Sequence, residues 1–247
     1  MLKKIFIAIS FFTILSQAHA DLKIGTTYFD PPYVLSTTQG FEIDLMNLIC
    51  AGLGVKCKFI PMSYNNLFTA ITNGQIDLAV DGIDLYVGDN PLNGNFIYSL
   101  PYLLSQGQII TLNKNPSMAS LKKGCAVGLV QETNHSGSGI YYTFFQKHYG
   151  KKFTIKPYLQ IDKLIEALSD GSICAAFIDD NQANYWLIHS NGIFKAISQP
   201  EKVADGIGIV ANSAEATLIA QINQQIIKIE NSPKYIQLYN TYIANSN

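Results

Sequence analysis

Short apolar runs alternate with amphipathic stretches along this chain, and the alternation runs through twice. Leu22–Thr26 alternates as a strand does, and Phe41–Leu53 places Ile43, Leu45, Met46, Ile49 and Leu53 near helical spacing before Gly54 stops it. A strand at 57–60, a helix at 65–73 ended by Gly74 and a short apolar strand at 76–80 complete a βαβαβ series that enters a loop at 81–95. The rhythm restarts with a strand at Ala126–Val130, a helix at 141–149, a strand at 153–158, a helix at 161–168 and a strand at 174–178. Strands separated by helices pair in parallel and are covered on both faces, so the chain is expected to fold as two α/β units in series.

No low-complexity linker divides the units. Residues 109–112 read as a strand connecting them and 206–211 as a similar strand returning, and two crossings make a hinge. The expected organisation is a first lobe of 21–108 plus 205–247 and a second lobe of 109–204, with closing helices at about 214–229 and 233–244 belonging to the first. In open α/β sheets ligands bind beyond the carboxyl ends of the strands, so the loops after Thr26, Val80, Val130 and Ile178 are expected to converge on a cleft. Pro31-Pro32 puts a turn in the first of these loops.

The first twenty residues read as a secretory leader: Lys3 and Lys4, an apolar run from Ile5 to Leu15, and Ala18-His19-Ala20 as a cleavage site after Ala20. The apolar run is too short to span a bilayer and no later run reaches that length, so no stable membrane insertion is expected. Export permits disulfides, and four cysteines remain. Cys50 and Cys57 are spaced to join the end of a helix to the next strand. Cys125 and Cys174 each open a strand-like run, which suits either a second bridge or two buried thiols. Scattered histidines and the absence of a C-x₂-C pair argue against a metal site.

All 17 basic side chains are lysines. Nothing here can present a planar, bidentate guanidinium. Losing Lys3 and Lys4 leaves 15 basic against 18 acidic side chains, a formal charge of −3, which excludes the basic stripe of a nucleic-acid binder.

Several motifs, in order, carry a resemblance. These are Leu22–Thr26 with Pro32-Tyr33, Gly40-Phe41-Glu42-Ile43-Asp44-Leu45, Cys50 with Cys57, Tyr64-Asn65-Asn66-Leu67, Asn73-Gly74-Gln75-Ile76-Asp77, Val127-Gly128-Leu129, Gly171 to Asp179, and Gly206-Ile207-Gly208-Ile209. Over nearly all of Leu22 to Ile243 the chain resembles periplasmic solute-binding proteins that deliver polar and cationic amino acids to ABC importers. The resemblance implies a two-lobed binding protein, a monomer without cofactor or catalytic residues, that closes on its ligand and hands it to inner-membrane permease subunits. It places Tyr64 as an aromatic cover for the ligand and Asp179, beside Asp180, as the carboxylate for its amine. The partner aromatic falls at Asp30, just after Tyr28 and Phe29. Where the family carries small residues and then an arginine for the ligand's carboxylate, this chain has Asp81-Gly82-Ile83-Asp84-Leu85-Tyr86 and no basic residue from Val87 to Asn95. Main-chain N–H groups near Asp84 and Thr133 or Asn134 are the remaining candidates for that carboxylate.

The expected cleft loops thus carry Asp30, Asp81, Asp84, Glu132, Asp179 and Asp180 and no lysine. Like charges in one cleft raise one another's pKa unless a cation arrives, although Glu132 or Asp180 could instead cap a helix. The leading expectation is a receptor for arginine, lysine or ornithine in an acidic interlobe cleft. One alternative is a receptor for an amine lacking a carboxylate, such as agmatine or a polyamine. A second is a periplasmic dehydratase on the same fold, with Glu132 and His135 as an acid–base pair.

Overall fold

The computed structural model describes residues 21–85, 95–115, 117–121, 124–132 and 139–244. The leader therefore lies outside the described residues, as do 86–94 and Thr133, Asn134 and His135. The chain runs through β1 (Leu22–Thr26), α1 (Phe41–Leu53), β2 (Cys57–Pro61), α2 (Tyr64–Thr72), β3 (Leu78–Ala79) and β4 (Phe96–Tyr98). It continues through β5 (Gln106–Leu112), β6 (Ala126–Val130), α3 (Ile140–Tyr149), β7 (Thr154–Tyr158), α4 (Ile161–Ser169), β8 (Ala175–Asp179), α5 (Asp180–His189), β9 (Phe194–Ala196) and β10 (Glu201–Lys202). It ends with β11 (Val210–Asn212), α6 (Ala216–Glu230) and α7 (Pro233–Tyr242).

Two sheets result. The first has the order β2-β1-β3-β11-β4 and the second β10-β5-β8-β6-β7, with β9 also on β5. β1 pairs in parallel with β2 and β3, and β6 in parallel with β7 and β8, so both repeated units aim their strand ends the same way within each sheet. Apolar faces explain the layering. Phe41, Leu45, Met46 and Ile49 of α1 pack with Ile219, Ile222 and Ile226 of α6 on one side of the first sheet, while Leu67, Phe68 and Ile71 of α2 form a core on the other. In the second lobe α4 supplies Leu164 and Leu168 to one core and α3 supplies Phe145 to another, where it meets Val127 and Phe177.

Residues 109–112 belong to β5, an interior strand of the second sheet that pairs with β8, and just before it Leu103 bridges Ile207. Of 206–211 only the end joins a strand, β11, while Ile207 also bridges Asp84. The strand expected at 76–80 shortens to Leu78-Ala79, the two positions flanked by β1 and β11 together. Helix α5 went unread because its residues are mostly polar, although Asp179 caps it by accepting from the N–H groups of Asn181 and Gln182. Both cysteine pairs are disulfides, Cys50–Cys57 across the α1–β2 turn and Cys125–Cys174 beside the starts of β6 and β8. The second pair therefore resolves to a bridge, because parallel pairing sets these strand starts side by side.

Candidate ligand-binding cavity

Loops of both lobes enclose a cavity of about 220 Å³. From the first lobe come Thr27, Tyr28, Phe29 and Asp30 after β1, Met62 to Tyr64 after β2, and Asp81, Gly82 and Asp84 after β3. From the second come Val130 and Glu132 after β6, Leu159 to Asp162 after β7, and Ile178 and Asp179 after β8, with Gln182 from the first turn of α5. The four expected loops converge here, and the loops after β2 and β7 join them.

The lobes touch across this cavity. The Tyr33 hydroxyl donates to Asp179 Oδ1, Asn181 Nδ2 donates to the Tyr33 oxygen at 3.2 Å, and Gln182 Nε2 donates to Asp30 Oδ1 at 2.6 Å. Phe29 meets Trp186 edge-on with ring centres 6.4 Å apart. Asp30 is set in place by a tight bridge around the Pro31-Pro32 turn, its N–H and C=O both bonded to Val34.

Six carboxyl groups line the cavity: Asp30, Asp81, Asp84, Glu132 and Asp179, and the exposed Asp162 at its edge. Among the described lining residues there is no lysine or histidine; Lys163, beside the lining, lies 4.0 Å from Asp162 and 3.0 Å from Glu166 at the surface. Burial of the first five is the largest influence on them, and it raises each of these five groups. Burial raises Asp179 only to about 6, because hydrogen bonds from Tyr33, Asn181, Gln182 and Tyr141 favour its charged form. Asp81 rises to about 7 through burial, against the pull of the Thr27 hydroxyl and N–H at 2.6 and 3.2 Å from its Oδ1. Burial takes Glu132 to about 8 even though it accepts from the Tyr141 N–H at 3.1 Å at the start of α3. Gly139, at φ 117°, leaves room for that carboxylate, which a Cβ there would strike.

Asp84 and Asp30 both stand well above the usual carboxylate range. Burial is the largest cause for each; repulsion follows, from Glu132 and Asp179 for Asp84 and from Asp81, Glu42 and Asp179 for Asp30. Asp84 is 8% exposed and its Oδ1 is buried without a hydrogen-bond partner among the described residues. A buried acceptor left open costs free energy unless a donor arrives, and this one belongs to a residue of the cavity lining.

Of the aromatic candidates, Tyr64 is half-buried in the wall, its ring 6.0 Å from that of Phe68, while Tyr28 and Phe29 are largely open at the rim. Asp180 begins α5 and lies outside the lining. Three groups escaped sequence reasoning. Glu42 is fully buried on α1, accepts from the Gly82 N–H at 3.0 Å and from the Tyr102 hydroxyl at 2.5 Å, and is raised to about 8 by burial. Its signal was a carboxylate at helical spacing with Leu45, Met46 and Ile49, on the apolar face. Tyr33 and Tyr141 are the others, both buried in the wall beside Asp179. Gly82 must be glycine twice over, since its φ is 61° and a Cβ would sit 2.5 Å from the Tyr33 ring.

Comparison with known proteins places this architecture. An arginine-binding periplasmic protein of Mannheimia haemolytica is 22% identical over 98% of this chain and 99% of its own length. A probable histidine-binding protein of Neisseria gonorrhoeae is 24% identical over 83% of this chain and 75% of its own. The crystal structure of an arginine third transport system periplasmic binding protein from Legionella pneumophila superposes with a TM-score of 0.79 at 27% identity, covering 91% of this chain and all of that one. The model of the bacterial extracellular solute-binding proteins, family 3, matches residues 22–245, and the chain belongs to that family.

Proposed function

We propose that this protein is a periplasmic receptor that captures a small cationic amino acid, arginine, lysine or ornithine, and delivers it to the permease of an ABC importer. The observation that carries the reading is the set of six carboxyl groups around one cavity, five of them raised by burial, with no cation in the described lining. A guanidinium or ammonium relieves their mutual repulsion and forms charge-assisted hydrogen bonds, and Tyr64 offers a ring face to the guest. The names of the relatives from Mannheimia and Legionella support the ligand class, and the leader-like first twenty residues support export with cleavage after Ala20.

Thermal shift tests the reading, because a ligand that binds only the folded form raises the melting temperature by mass action. Arginine, lysine or ornithine should stabilise the protein and glutamate or aspartate should not. Stronger stabilisation by glutamate than by arginine would overturn the reading. Catalysis is disfavoured by the commitment of Glu132 to the start of α3, and incubation with prephenate or arogenate should yield no aromatic product.

A further inference from the structure

We infer that the cavity recognises two positive ends of its guest and not an α-carboxylate, so that a carboxylate-free dication, an alkyl diamine or a guanidino-amine, binds nearly as tightly as the corresponding amino acid. The inference rests on the cationic reading above and narrows it.

Its first support is where the donors point. Thr27 gives both its N–H and its hydroxyl to Asp81, Gly82 gives its N–H to Glu42, and Gln182 gives its amide to Asp30. The Tyr33 hydroxyl goes to Asp179, and the Tyr141 hydroxyl lies between Asp179 Oδ2 at 3.2 Å and the Gln106 carbonyl at 3.1 Å. These donors are spent on the protein's own oxygens, and a guest carboxylate placed beside them loses its water and meets acids.

The second support is how the acids are grouped. Asp30 feels Asp81 most strongly among its neighbours, and Asp84 feels Glu132. Asp179 repels Asp30 and Asp84 alike, and both of its own oxygens already accept hydrogen bonds. Two anionic poles therefore remain, one at Asp30 and Asp81, the other at Asp84 and Glu132. The second pole holds the open acceptor, Asp84 Oδ1, buried without a partner among the described residues on a residue that lines the cavity. One cationic end satisfies one pole only, whereas a dication satisfies both.

Isothermal titration of the mature protein, freed of carried ligand by unfolding and refolding, tests this with two pairs: arginine against agmatine and lysine against cadaverine. The decarboxylated member should bind within about tenfold of its amino acid. A larger loss in both pairs, with the amino acids still binding, overturns the inference and leaves the proposed function standing. Failure of all four cations while glutamate or a neutral amino acid binds overturns both. Replacing Asp84→Ser should weaken the diamine more than the amino acid and shift preference toward the latter. Equal weakening of the two would remove Asp84 from the reading of a second positive end and overturn the two-pole account.

Discussion

Both lobes place acidic residues just past the carboxyl ends of parallel strands, yet the two sets are finished differently. In the second lobe β8 runs directly into α5, so Asp179 lies at a helix start and receives the N–H groups of Asn181 and Gln182 at 2.9 and 3.4 Å. Glu132 likewise reaches the first turn of α3. A helix start supplies unpaired donors and a favourable dipole wherever a strand feeds it. In the first lobe β1 and β3 enter loops instead, and their acids depend on what the loops provide. Asp81 finds Thr27, Asp30 borrows Gln182 from the other lobe, and Asp84 keeps one oxygen open. The second lobe serves its carboxylates from its own helix starts, with the Tyr33 hydroxyl of the first lobe added on Asp179, and the first lobe leaves part of the task to a guest.

The lobes also differ in how they are stapled, and this gives the largest expected effect. Cys50–Cys57 closes a separation of 7 residues and Cys125–Cys174 one of 49. Loop-closure entropy in the unfolded chain then makes the first bridge worth about 2.5 kcal/mol and the second about 4 kcal/mol. Urea unfolding of the Cys50→Ser/Cys57→Ser and Cys125→Ser/Cys174→Ser proteins should show that order. The reverse order would mean that native-state packing around the short bridge outweighs the chain entropy.

A matched pair of substitutions tests the unequal finishing of the acids. Asp179→Asn keeps one capping oxygen but turns the other, which accepts from the Tyr141 hydroxyl, into a donor and weakens the acceptor on which Tyr33, Asn181 and Gln182 converge, and should destabilise the ligand-free protein by about 2 kcal/mol. Asp84→Asn removes a buried acid repelled by Glu132 and Asp179, and should stabilise it by about 1 kcal/mol. Melting curves without ligand read both signs. Equal destabilisation by the two would show that Asp84 is as fully satisfied as Asp179.

Much of this contrast was legible in the sequence, for reasons that differ by residue. Periodicity disclosed α1 and the strands β1 and β6, and the fold rule placed the loops that meet at the cavity. Polar α5 carried no apolar stripe, so the helix that finishes Asp179 was invisible even though Asp179 itself was identified. Glu42 was quoted within a motif but its burial against Gly82 depends on a contact forty residues away. Tyr33 reaches Asp179 across the lobes, and no local pattern encodes a contact between residues 146 positions apart.

The last expected effect concerns protons. An unfolded carboxyl titrates near 4, whereas Asp179, Asp81 and Glu132 are raised by burial to about 6, 7 and 8. Between pH 4 and 8 the folded protein thus holds more protons than the unfolded chain, and its ligand-free stability falls as pH rises through that window. A cationic guest favours the charged forms and displaces protons, so affinity should move the opposite way, rising with pH and levelling above about 8. One displaced proton corresponds to about tenfold per pH unit, or ~1.4 kcal/mol, between pH 6 and 7. Hydrogen bonds from Tyr33, Asn181, Gln182 and Tyr141 favour the charged form of Asp179 against its burial, so the displaced proton is expected from the Asp30–Asp81 pole or from the Asp84–Glu132 pole. Titration in two buffers of different ionisation enthalpy should show proton release at pH 7, reduced more by Asp81→Asn than by Asp179→Asn. A flat affinity from pH 6 to 8 with no proton release would mean that the acids are charged before the guest arrives, and that the first lobe completes them as fully as the second.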